Sequence, residues 1–105
     1  MAIKVVITRK FKADTMKQAY KLLMKLRSLA TLQRGYVSGE TLVAAANPNK
    51  LTVISTWISQ KRWAEWHESS TRKEFSKKIK PLLEAPEEIE IFMAGDKTPE
   101  WVDMA

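Results

Sequence analysis

The period of the apolar residues changes from two to about 3.6 and back along this chain, and the order of those changes admits few folds. In residues 3–11, Ile3, Val5, Ile7 and Phe11 point one way and Lys4, Thr8 and Lys10 the other, with Val6 as the exception. That alternation predicts a strand. Met16, Ala19, Tyr20, Leu23, Leu26 and Ala30 then recur at helical spacing behind Asp14 or Thr15 as capping residue, which predicts a helix to about Leu32. Gly35 ends it. Residues 36–46 and 51–58 read as two strands joined by a turn at Asn47-Pro48-Asn49-Lys50. Ser59 offers an N-cap to a second helical region whose apolar stripe, from Trp63 and Trp66 through Phe75 and Ile79, runs to about Leu83. The hydroxyl run Ser69-Ser70-Thr71 competes for backbone hydrogen bonds and predicts a break there. Pro86 ends the region, and residues 88–94 alternate as a fourth strand.

The resulting order is βαββαβ. Two right-handed crossovers of this order put the helices on one face of a four-stranded antiparallel sheet and leave the other face bare. Leu51 and Val53 oppose Ile54 and Ile58 across their strand, and Leu42 opposes Val43, so both faces of the sheet carry apolar residues. Monomeric proteins avoid exposing a patch of that kind, so a second sheet is expected to cover it, which makes the protein a homodimer.

A length of 105 residues holds one core, expected over residues 1–94, followed by a tail over 95–105 that contains Trp101. A large aromatic in that tail is expected to be anchored, on its own subunit or on its partner. The chain has no cysteine and one histidine, which removes disulfides, thiolate metal sites and multi-histidine metal sites within one chain. No apolar run approaches the ~20 residues of a membrane span, and the N-terminus lacks the apolar core of a secretion signal, so a cytoplasmic protein is expected. The net charge of +6 invites a nucleic-acid partner. However, Lys17, Lys21 and Lys25 lie four apart on the polar face of a helix, and the third strand lacks the Gly-aromatic pattern of RNA-recognition domains, so none is expected.

The stretch from Ser55 to Arg72 carries the densest information. Trp63 and Trp66 are three apart and Trp63 and His67 four apart, so the three share one helix surface, either as core anchors or as the wall of a pocket. A strand ending in Trp57, then Ser59, Trp63, Trp66 and Arg72, followed by residues 79–86 (IKPLLEAP), resembles the antibiotic biosynthesis monooxygenase superfamily. Residues 35–42 (GYVSGETL) fit it as well, and the resemblance spans roughly residues 3–94. It implies a ferredoxin-like α+β subunit whose sheet pairs with a partner's to form a dimeric α/β barrel.

The resemblance further implies a cofactor-independent monooxygenase acting on a small aromatic, quinol-like or polycyclic. In such chemistry the substrate loses a proton to become an electron-rich anion that itself reduces O2. The resemblance puts the pocket between sheet and helices, with Trp66, Thr8 and Phe75 against the substrate. His67, the one group with an unperturbed pKa near neutrality, is a candidate general base or a ring stacked on Trp63. Arg72 is a candidate to stabilise an anionic oxygen, or an ion-pair partner of Glu68. A haem-binding or haem-degrading relative and a non-catalytic small-molecule barrel are the alternatives. Trp66 matches the tryptophan of the haem-degrading branch, but Thr8 stands where that branch has an asparagine and Ser76 where it has its ligating histidine.

Overall fold

The computed structural model describes residues 1–94. Strand β1 (Ala2–Lys10) is followed by helix α1 (Met16–Ala30), strands β2 (Tyr36–Ala44) and β3 (Asn47–Trp57), helices α2 (Gln60–His67) and α3 (Ser70–Ile79), a single 3₁₀ turn (Lys80–Leu82) and strand β4 (Glu88–Ala94). The four strands form one antiparallel sheet in the order β2-β3-β1-β4. This is a ferredoxin-like α+β fold, with the second helical region divided in two.

The division follows from Ser69. Its hydroxyl donates to the Trp66 carbonyl at 2.7 Å, closing α2, and accepts from the Arg72 amide at 3.2 Å, opening α3. One side chain thus satisfies backbone groups at both helix ends. Ser59 caps α2 by accepting from the Arg62 amide. At α1 the expected cap is absent: the Thr15 hydroxyl turns back to donate to the Lys12 carbonyl, and Asp14 adopts a positive φ of 68°. The helix ends at Ala30 because Leu32 and Gln33 bond back only three residues. Gly35 then takes a φ of 86° beside the Arg62 side chain.

The hairpin turn lies at Ala45–Ala46, not at Asn47–Lys50 as the composition predicts. The Asn-Pro-Asn-Lys segment instead bulges within β3. Asn47 Oδ1 accepts from the Asn49 amide, and the Asn49 carbonyl accepts from Phe11 just beyond β1. Pairing with β1 holds the segment in the sheet, so its turn chemistry is spent on a local kink.

Ile3, Val5, Ile7 and Phe11 form the core with Leu51, Trp57, Ala19, Leu23, Leu26, Trp63, Trp66 and Ile79. Lys17, Lys21 and Lys25 are exposed, as a polar helix face requires. On the opposite face of the sheet, the register sets Phe92, Val6, Ile54 and Leu42 along a diagonal from β4 to β2, with Val6 directly opposite Ile54 and the other two pairs diagonal. Diagonal neighbours of this kind lie close enough for large side chains to touch. Phe92 and Leu42 are each 47% exposed. The flanks are polar, with the Lys4 ammonium donating to Thr56 Oγ1 and Thr8 and Thr52 sharing a hydroxyl hydrogen bond. Trp101 and the tail lie outside the described residues.

Candidate active site

Between the sheet and the helices runs a cleft of about 600 Å3, counting the solvent in its mouth. Three tryptophans wall it. Trp57, at the end of β3, is almost wholly buried and donates its indole N–H to Ser55 Oγ at 3.0 Å. Trp63 and Trp66 enter from α2, while Leu23, Leu26 and Ala30 close the α1 side and Ile7 and Val53 form the base on the sheet. Tyr36 meets Trp57 edge-on at 5.4 Å, which fixes both rings.

Room for Tyr36 comes from Gly39, an inward position opposite Ser55. A Cβ there would stand 2.6 Å from Tyr36 Oη. Arg27 donates to the Gly39 carbonyl at 2.9 Å and so ties α1 to β2 beside the cleft.

Three arginines line the cleft, and two of them, Arg9 and Arg72, are only 3% exposed. Arg9 comes from β1 and donates from Nε to Glu87 Oε2 at 2.9 Å. Arg72 comes from α3; its Nη1 donates to Ser76 Oγ at 2.7 Å, and its Nη2 lies 3.8 Å from Glu87 Oε1 without a hydrogen-bond partner. Burial, followed by the charge of Arg9, lowers the pKa of Arg72, while Glu87 acts in the opposite direction. Two guanidinium groups therefore share one carboxylate at a site largely shielded from water, an arrangement that stabilises any further negative charge placed beside it.

Trp66 and Arg72 both line the cleft. The ion pair of Arg72 with Glu68 does not form. Glu68 is exposed and pairs with Lys73 at 3.1 Å, because Arg72 points inward from α3. Thr8 is also corrected. Its neighbours Ile7 and Arg9 face the cleft, and strand alternation puts Thr8 on the other face, against Thr52. Phe75 is half-buried and packs against the core outside the cleft lining.

His67 also stands outside the lining. Its ring stacks on Trp63 at 4.7 Å with the planes 16° apart, and its Nδ1 is buried without a partner. Burial and the nearby Arg72 charge lower its pKa below the usual 6.5. The described residues do not fit a histidine-ligated haem: no imidazole lines the cleft, and Ser76 is engaged by Arg72.

Arg9, Tyr36 and Glu87 are site residues that the motif reading does not single out. Arg9 had a signal, since it occupies the inward parity between Ile7 and Phe11. Glu87 had none, because its pairing spans 78 residues and depends on how β4 docks beside β1.

The family model for antibiotic biosynthesis monooxygenase matches residues 2–78, which takes in β1, the Trp-rich helix and Arg72. The chain belongs to the antibiotic biosynthesis monooxygenase family. None of the curated proteins matches its sequence. Among solved structures, a conserved protein from Methanosarcina mazei is 22% identical with a TM-score of 0.83, covering 88% of this chain and 91% of its own. Rv0793 from Mycobacterium tuberculosis is 15% identical with a TM-score of 0.84, over 94% and 100% of the two chains. SnoaB from Streptomyces nogalater, a cofactor-independent oxygenase, is 14% identical with a TM-score of 0.81, over 94% and 98%. At these identities the likeness to all three is one of fold.

Proposed function

We propose that this antibiotic biosynthesis monooxygenase family protein oxidises a small aromatic substrate, quinol-like or polycyclic, with O2 and without a cofactor. The observation that carries the reading is the cleft itself. Three indoles and a phenol wall it, and two buried guanidinium groups share a single carboxylate within it.

An anthrone shows how the chemistry balances. Its ring methylene loses a proton, and the charge delocalises onto the carbonyl oxygen. The positive charge of Arg72 stabilises that oxygen, which favours ionisation at a site largely shielded from water. The carbanion delivers electrons to O2; one oxygen atom becomes the new carbonyl and the other leaves as water. The substrate supplies all four electrons. Trp66 holds the flat ring system against the sheet, and the proton passes to water at the open mouth. His67 steadies Trp63 by stacking and takes no proton from the substrate directly.

The protein acts as a homodimer in this reading, its sheet covered by a second copy along the diagonal of Phe92, Val6, Ile54 and Leu42. The test of the site is a paired measurement on Trp66→Phe and Arg72→Ala: melting temperature against turnover of an anthrone. A catalytic cleft requires turnover to fall at least about tenfold in folded Arg72→Ala, about 1.4 kcal/mol of lost transition-state stabilisation. Loss of stability in both variants with turnover intact would refute the assignment.

A further inference from the structure

The charges at the two arginines do not balance. Arg9 and Arg72 bring two positive charges, Glu87 brings one negative charge, and one positive charge is left over. Glu87 is also committed unequally: it accepts from Arg9 at 2.9 Å but stays 3.8 Å from Arg72 Nη2, too far for a hydrogen bond. Arg72 Nη2 is buried and lacks any hydrogen-bond partner among the described residues. An orphaned charged donor of this kind is costly unless a ligand completes it. Surplus charge and orphaned donor coincide at a residue that lines the cleft.

We infer that the Arg9–Arg72 end of the cleft is a carboxylate subsite, so that the ligand is a flat aromatic acid with one carboxylate accepting from Arg72 Nη2. The inference rests on the reading of the cleft as an aromatic-binding site and names the class of ligand it takes. The lining supplies the rest of the recognition: Trp57 and Trp66 for the ring system, with Tyr36 and Ser55 as further polar groups. One carboxylate offsets the charge that Glu87 leaves uncompensated on Arg9 and Arg72. Glu40 pairs with Ile54 at the parity of the outer face; it is exposed and forms no ion pair with either arginine among the described residues. Glu87 has a second role in this arrangement, as an internal competitor. Its carboxylate offsets part of the field of both arginines and so weakens the hold on an incoming acid.

Naphthoate and naphthylmethanol share a ring system and differ in charge, so titration calorimetry of both against the full-length protein isolates the subsite. The acid is expected to bind at least about tenfold more tightly than the alcohol, about 1.4 kcal/mol. Arg72→Met should bring the ratio close to one. Glu87→Gln should raise it above the wild-type value, and naphthoate should raise the melting temperature of Glu87→Gln more than that of the wild type. The Glu87→Gln arm keeps the test decisive if Arg72→Met does not fold. Equal binding of acid and alcohol would overturn the carboxylate subsite and leave the aromatic cleft standing. A ratio unchanged or lowered by Glu87→Gln would overturn it as well. Binding of neither probe would overturn the aromatic cleft and the subsite together.

Discussion

Removing the Glu87 side chain by Glu87→Ala should be among the most destabilising single changes in this protein. The carboxylate is 25% exposed, while the two arginines it serves are 3–4% exposed, so truncation strands two guanidinium groups that water can hardly reach. Removing one partner of a buried ion pair costs about 3–5 kcal/mol. Partial exposure of Glu87 favours the lower end, about 3 kcal/mol, and at about 4 °C or more per kcal/mol the melting temperature should drop by about 12 °C. Urea unfolding at fixed protein concentration should show a midpoint lower by at least about 1 M with an unchanged slope. Glu87→Gln retains an acceptor for Arg9 Nε and should cost about half as much. The double variant Arg9→Met with Glu87→Ala should be more stable than the sum of the two single effects, because Arg72 then lacks a like charge beside it. A loss below about 1 kcal/mol for Glu87→Ala, or strict additivity in the double variant, would show that Glu87 does not hold the arginines in place.

Gly39→Ala should perturb the cleft locally, since its Cβ would meet Tyr36 Oη at 2.6 Å; a change in ligand affinity with a modest stability loss of about 1–2 kcal/mol is expected by titration and denaturation. Gly35→Ala combines a φ of 86° with a Cβ 2.5 Å from Arg62 Cβ, and should cost more, about 2–3 kcal/mol, in the same denaturation assay. Because the folded state holds His67 below the usual 6.5, the unfolded chain takes up its proton first as pH falls. The stability it contributes is complete above about pH 6.5 and is lost as pH drops through the folded pKa, so His67→Phe should flatten that part of the stability profile. Phe92→Asp, placed on the outward diagonal of the sheet, should convert a dimer to monomer by light scattering; an unchanged mass would contradict a sheet-to-sheet interface.

The strands and helices were legible because each buries one face, and burial writes its period into the residues. β1 shows this in Ile3, Val5, Ile7 and Phe11, and Ser59 and Ser69 mark the helix starts through chemistry confined to neighbouring residues. The bulge at Asn47–Lys50 was not legible, since turn-forming residues there are overruled by pairing with a strand some 40 residues earlier in the chain. Among the site residues, the stack of His67 on Trp63 follows from i, i+4 spacing on a helix. Thr8 illustrates the limit of resemblance: the resemblance implies a place at the pocket, but the parity of its own strand turns it outward. Arg9 is the converse, a charged residue at an inward position that parity places correctly and composition disguises. That it is tolerated there depends on Glu87, whose approach only the folded sheet creates.

In the proposed function, the substrate anion itself reduces O2. An oxygen electrode reads this most directly, with an anthrone as substrate and a metal chelator present throughout. One O2 should be consumed per anthrone converted to the quinone, at a rate well above uncatalysed autoxidation, unaffected by the chelator and strongly reduced in Arg72→Ala. Oxygen uptake no faster than autoxidation, or uptake that the chelator abolishes, would contradict it.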